Sequence, residues 1–346
     1  MICISHDSAI RFWENPNHYF FLRNKIENEL FEKCCTLASG LQVKNSAARK
    51  KERIHDICEA YNLGESGLLH LLVSKNAYRG KCPNVNNHVL AYELPKYSFR
   101  MISEDVLVVS PELALLQVGA QKSIPEIVKL ACELNSSFSI NHSFVCGINN
   151  LSSDNDADGL TNAIISKEPV SNFNKMGEFV SSVANVGGVK KFRRAIKYVP
   201  NGSAASPMEI SLALLLSLPS GYGGFGLPKP EFNGDVLFGN EAASVYGHSK
   251  CVCDLLWANE KVDVEYNSDA MHANPTQMLR DSERALALEC DGYRVVSVTK
   301  QQLFDRVRAK HIACQVGKML GRRVRIQRKG FDALQSQLLH VLGLRK

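Results

Sequence analysis

Two short β-rich runs, CVCDLLW (251–257) and KVDVEYN (261–267), stand three residues apart across Ala258-Asn259-Glu260, and each holds an acid among apolar neighbours. Their composition and spacing predict the two strands of an antiparallel hairpin. Asp and Glu are depleted from strands, so Asp254 in the first run and Glu265 near the end of the second need compensation. A carboxylate in such surroundings requires a cation or hydrogen-bond donors. Hairpin pairing brings the two acids together, and oxygen ligands of this kind suit Mg²⁺. Glu209, on a helix predicted just upstream, is a candidate third ligand. The plain alternative makes both acids surface groups of a twisted hairpin, since their spacing alone is common.

The hairpin belongs to an ordered series. SPMEISLALLLSL reads as an amphipathic helix with Ser206 as N-cap and Pro207 in its first turn. GYGGFGLPKPEFN reads as a loop, 275–290 as a helix, YRVVSVT as a strand, and the residues from Lys300 as a basic helix. The break at Pro200-Asn201-Gly202-Ser203 marks a domain boundary. The expected organisation is an N-terminal α/β unit (1–147), a polar linker with a basic helix (148–202), and a C-terminal domain (203–346). Within the first unit, SAIRFW and 44–62 predict helices. LLHLLV, HVLAYEL and DVLVVS predict strands, and two helices follow, one after Ser110-Pro111 and one over Ile124–Leu134.

A chain of 346 residues with 45% hydrophobic and 22% charged residues is expected to fold as about two globular domains. It holds no apolar run of transmembrane length, and its start lacks the pattern of a signal peptide, so no membrane role and a cytoplasmic location are expected. The eleven cysteines show no CxxC spacing and read as reduced core thiols. Charge is uneven. From Lys300 onward twelve lysines and arginines face only Asp305 and Asp332, against a net charge of +6 for the whole chain. Such a basic end suits an anionic partner, nucleic acid above all, although a solvated helical face explains the same pattern.

Taken in order, Glu209, Asp254, Glu265, His272, Asp281, Arg284, Gly292 and Tyr293 resemble the very-short-patch-repair-like branch of the PD-(D/E)XK restriction-endonuclease superfamily. The likeness covers about 100 residues, roughly 203–305. It implies an α/β fold with a restriction-endonuclease-like αβββαβ-type core beside the N-terminal mixed α/β domain. It also implies a metal-dependent endonuclease acting on DNA, with Mg²⁺ or Mn²⁺ held by Glu209, Asp254 and Glu265. His272 would serve in proton transfer, and Arg280 and Arg284, four apart on one helix face, would approach phosphates. Two positions depart from the pattern: Asn267 stands where the branch has a second acid and the wider superfamily a Lys, and His272 lies one residue further from the glutamate than the pattern places it. A non-catalytic DNA-binding regulator with a degenerate nuclease fold is therefore the alternative. The first unit, in SAIRFW and VVSPELALLQVG, resembles abortive-infection antitoxin-type regulators, which implies bacterial defence or mobile-element biology.

Other signals are weaker. GYGGFG lacks the preceding strand and following helix of a dinucleotide site, so its glycines are expected to shape a tight loop. Asp154, Asp156 and Asp158 imitate a calcium loop, but Ile165 occupies the position of its closing Glu. No P-loop, nucleophile elbow or HExxH occurs.

Overall fold

The computed structural model describes residues 2–29, 31, 47–63, 68–76, 84–140, 164–184, 186–267, 275–326 and 329–344. It is a mixed α/β structure with two compact units, Met1–Lys197 and Tyr198–Lys346. The division falls just ahead of the expected break at Pro200-Asn201-Gly202-Ser203. Of the stretch 148–202, the described part before Tyr198 forms a strand and two helices that cluster with the first unit. Asp154, Asp156 and Asp158 lie outside the described residues.

In the first unit β1 (Ile2–Ile4) runs into α1 (His6–Glu14), and a short strand β2 (Lys25–Ile26) follows a 3-10 helix. Next come α2 (Ala47–Ala60), β3 (Leu69–Val73), β4 (Val85–Val89), β5 (Phe99–Met101) and β6 (Val106–Val109). Strand β4 starts at Val85 and not within HVLAYEL; it pairs in parallel with β3. The six strands are ordered β2-β5-β6-β1-β3-β4. After Ser110, whose Oγ accepts from Leu113 N, comes α3 (Pro111–Gly119), and then α4 (Ile124–Leu134). All nine residues of α3 are buried, so it is a core helix and not a one-sided surface helix. Strands β7 (Phe138–Ile140) and β8 (Ile164–Ser166) pair with each other, and α5 (Phe173–Ser182) and α6 (Val189–Ile196) stand where one basic helix is expected within 148–202. Trp13 anchors the core: it is fully buried, and its indole N–H donates to Val109 O at 2.8 Å.

The second unit opens with β9 (Asn201–Gly202) and α7 (Pro207–Ser217). Strand β10 (Glu231–Leu237), α8 (Asn240–Tyr246), β11 (Lys250–Trp257) and β12 (Val262–Asn267) follow. The chain then forms α9 (Pro275–Cys290) and β13 (Arg294–Thr299), and closes with α10 (Lys300–Phe304), α11 (Arg306–Met319) and α12 (Phe331–Val341). The sheet is ordered β13-β12-β11-β10-β9. Strands β10, β11 and β12 form an antiparallel meander, and β13 joins β12 in parallel. A parallel partner requires a crossover, and α9 is that crossover. The expected loop over GYGGFGLPKPEFN ends early, since β10 begins at Glu231. Its glycines do shape a tight turn: Gly223 has φ +88°, and a Cβ there would lie 2.5 Å from Leu334 O. The basic end is packed and not a free tail. Ala309, Ile312, Ala313, Val316, Phe331, Leu338 and Leu339 are buried, while Lys310, Lys318, Arg322, Arg323 and Arg325 stay exposed.

Candidate active site

Helix α7 is apolar on every side. From Glu209 to Ser217 all its residues are buried, which corrects the expectation of an amphipathic helix. Ser206 caps it as expected, its Oγ accepting from Glu209 N at 3.2 Å. The first turn therefore carries an acid into the interior: Glu209 is 6% exposed. Its Oε2 accepts from Ala205 N at 2.8 Å and from Asn233 Nδ2 at 2.9 Å. Asn233 reaches it from inside β10, where its backbone is left-handed at φ 48°, a conformation Asn tolerates better than most residues. The next residue must be glycine, because a Cβ on Gly234 would meet Leu256 Cδ2 at 2.6 Å. Asn233-Gly234 thus looks like turn chemistry in the sequence, yet it lies within a strand.

Phe232 pairs with Leu255 and Gly234 with Cys253, so Asn233 lies across from Asp254. On the other side of β11, Leu255 pairs with Val264 and Leu256 with Asp263. At the next residue pair the acid takes over from the backbone ladder: Asp254 Oδ2 accepts the N–H of Tyr266 at 2.8 Å. Glu265, beside that N–H, is 13% exposed at its side chain and bonded through Oε2 to Arg284 of α9 at 2.7 Å. The same guanidinium donates to Val252 O at 3.0 Å.

The electrostatics tie these groups into one cluster. Burial, with the charges of Glu265 and Glu209, pushes the Asp254 carboxyl up to about 7. Burial also raises Glu209, helped by Glu265 and opposed by the hydrogen bonds from Ala205, Ser206 and Asn233. Burial works against the charge of Arg284, but Glu265, Asp263 and Asp254 outweigh it and hold the guanidinium firmly protonated. Glu209, Asp254 and Glu265, drawn from one helix and two strands, are thus coupled through their charges, with Arg284 bonded to Glu265. Carboxylate oxygens are the ligands a hard divalent cation takes. One observation supports that fit directly: Glu265 Oε1 is buried and meets no hydrogen-bond donor among the described residues.

Other sequence candidates fare differently. Arg284 is committed to Glu265 and Val252 O. Arg280 is exposed on α9. Asn267 is exposed at the end of β12, in register with Thr299. His272 lies outside the described residues. Sequence reasoning missed Asp263, which is 0% exposed and whose carboxyl is pushed up to about 10 by burial and by Glu265. The signal was available, since Asp263 is as disfavoured in a strand as Glu265 and two residues from it, hence on the same face. Cys253 was read as a core thiol, and it is one: it packs with Val236, Cys251, Leu256 and Leu288. The structure adds that Cys253, Asp263 and Glu265 each offer a ligand atom within 4.8 Å of the others.

A second cluster, in the first unit, was not foreseen. His6 stacks on His88 with ring centroids 3.5 Å apart, and His70 Nδ1 lies 2.9 Å from His88 Nε2. Burial and the two neighbouring imidazoles push His6 down to about 3.

Among the described residues no helix is long and apolar enough to cross a membrane. No protein-family model, curated protein or solved structure matches the chain.

Proposed function

We propose that the second unit is a metal-dependent nuclease-type domain of the PD-(D/E)XK class that hydrolyses phosphodiester bonds in DNA. The observation that carries this reading is the mutual electrostatic influence of Glu209, Asp254 and Glu265 in a partly buried setting. The order of elements supports it: a helix, an antiparallel three-strand meander, a crossover helix and a parallel strand correspond to the αβββαβ-type core expected from the sequence, with α8 inserted between β10 and β11. Bacterial defence or mobile-element biology is the setting that the resemblances suggest.

Glu209, Asp254 and Glu265 would hold Mg²⁺ or Mn²⁺. When bound, such an ion activates water and offsets the negative charge that builds on a phosphate under attack. The chain's own groups prepare the site. Ala205 N and Asn233 Nδ2 fix one Glu209 oxygen, and Tyr266 N fixes one of Asp254. Arg284 orients Glu265 and lowers the repulsion among the acids, so its role is positioning and not phosphate contact. Lys310, Lys318, Arg322, Arg323 and Arg325 supply exposed positive charge for a polyanion. His272 is the residue this reading assigns to proton transfer.

A second reading is favoured by Asn267 and Arg284 together. A neutral amide in place of an acid, and an internal cation already bonded to Glu265, describe a site that binds DNA without turnover. Plasmid and single-stranded DNA incubated with the chain and Mg²⁺ or Mn²⁺ separate the two. The nuclease reading expects cutting that disappears with chelator and in Glu265→Ala. Binding without cutting by either chain would favour the regulator, and an Asn267→Asp chain that gains cutting would identify that amide as the lesion.

A further inference from the structure

Asp263 has no part in the nuclease reading, yet it is the most enclosed acid of the cluster. It is 0% exposed, neither oxygen meets an N–H or hydroxyl donor among the described residues, and its hydrogen-bonding neighbours are the Cys253 thiol and the Glu265 carboxyl. Glu265 divides its oxygens: Arg284 holds Oε2 at 2.7 Å, whereas Oε1 is buried without a donor. The third group is the Cys253 thiol, also 0% exposed, and the three residues each present a ligand atom within 4.8 Å of the others.

The local fold explains both the convergence and its cost. Strand alternation puts Asp263 and Glu265 on one face of β12. Cys253 comes from the apolar cluster with Val236, Cys251, Leu256 and Leu288. Hydrocarbon walls offer a buried carboxylate nothing to bond, so a cation or protons must offset its burial. The donor types choose between cations. Mg²⁺ keeps to oxygen ligands and retains several of its waters. A thiolate beside two carboxylates suits a softer ion, as Zn²⁺ is held by Cys, His and acid ligands. Three anionic ligands and the Arg284 guanidinium reach neutrality with one dication.

We infer that Cys253, Asp263 and Glu265 form a second cation site, selective for a thiophilic divalent ion such as Zn²⁺. It shares Glu265 with the site proposed for Mg²⁺ or Mn²⁺. The site stands whether or not the domain cuts DNA, and binding, not turnover, tests it.

The full chain, stripped of metal with a chelator, is titrated with Co²⁺ as a spectroscopic stand-in for Zn²⁺. The expected result is a thiolate-to-cobalt charge-transfer band that saturates at a single equivalent, survives in Asp254→Asn and disappears in Cys253→Ser. Asp263→Asn weakens binding by at least about tenfold, since losing a direct ligand costs no less than losing an outer partner. Zn²⁺ also raises the Tm of the wild-type chain and not that of Cys253→Ser. Absence of the band in the wild-type chain, or its persistence in Cys253→Ser, overturns the inference. So does a metal-free Asp263→Asn chain that melts higher than the wild type while Zn²⁺ shifts neither, because that pattern belongs to two acids sharing a proton. Cutting that fails while the cobalt band remains defeats the nuclease reading alone.

Discussion

Three imidazoles in the first unit stack on one another, while in the second three carboxyls, Asp254, Asp263 and Glu265, act on one guanidinium. Burial pushes His6 and His70 down and Glu209, Asp254 and Asp263 up, each toward its neutral form. The difference lies in what each cluster supplies for itself. A neutral imidazole both donates and accepts, so His70 and His88 can bond to each other and His6 Nδ1 can reach Ser5 Oγ at 3.0 Å. A carboxyl has no N–H and donates only while it keeps its proton. Asp263 and Glu265 Oε1 consequently meet no N–H or hydroxyl donor among the described residues, whereas the histidines bond to one another and to Ser5. Burial thus gives a structural cluster in one unit and, as proposed, an ion-binding one in the other.

The largest effect expected from this contrast is on catalysis. Asp254→Asn removes a charge from the proposed site and keeps an acceptor for Tyr266 N, so DNA cutting should fall at least about a hundredfold. His88→Ala, in the stack, should leave the cutting rate of the folded chain unchanged. Equal losses from the two substitutions would erase the distinction between the clusters.

Next in size is Arg284→Ala, which leaves Glu265 without its cation. Breaking a buried pair costs about 3–5 kcal/mol, and partial exposure here reduces that to roughly 2 kcal/mol. Denaturant unfolding of the metal-free chain measures the loss, and Mn²⁺ should restore part of it. No recovery with Mn²⁺ would mean that Arg284 alone balances the acids.

The pH response sharpens the comparison further, because its sign differs between the clusters. His6 titrates near 3 when folded against 6.5 for the free group. Its contribution is present above pH 6.5 and is lost as the pH falls toward 3. Asp254, with Glu265, Glu209 and Arg284 around it, titrates near 7 against 3.8. Its contribution is present below pH 3.8 and is lost as the pH rises through 7. Hydrogen exchange of the metal-free chain between pH 4 and 8 should show protection shifting from the second unit to the first. The smallest effect is local: Ser206→Ala removes the cap of α7 and should cost about 1 kcal/mol in thermal unfolding.

Why some of this was legible in the sequence and some was not follows from the same physics. Asp254 and Glu265 stood out because strands disfavour acids, and the short connection 258–260 allowed only a hairpin. Ser206-Pro207 fixed the start of α7 for similar local reasons. The burial of α7 was not legible: an apolar helix looks alike whether one face or all of it is covered. The start of β10 was hidden because Asn233-Gly234 carries a turn signal that Leu256 and Glu209 override through tertiary contacts. Asp263 was readable by alternation and was passed over. The histidines at 6, 70 and 88 were not, since only the order β1-β3-β4 brings them together. Both arginines fall within α9, but the partners of Arg284, Glu265 and Val252 O, lie on other elements.

The account rests on the claim that the carboxylate cluster is an ion site and the histidine stack is not. Free Mn²⁺ in titrations of the metal-free full chain, followed by its electron paramagnetic resonance, tests this directly. The wild-type and His88→Ala chains should deplete the free signal alike, while Glu265→Ala and Asp254→Asn should not. Undiminished Mn²⁺ binding by both acid variants, or its loss in His88→Ala, would contradict the account.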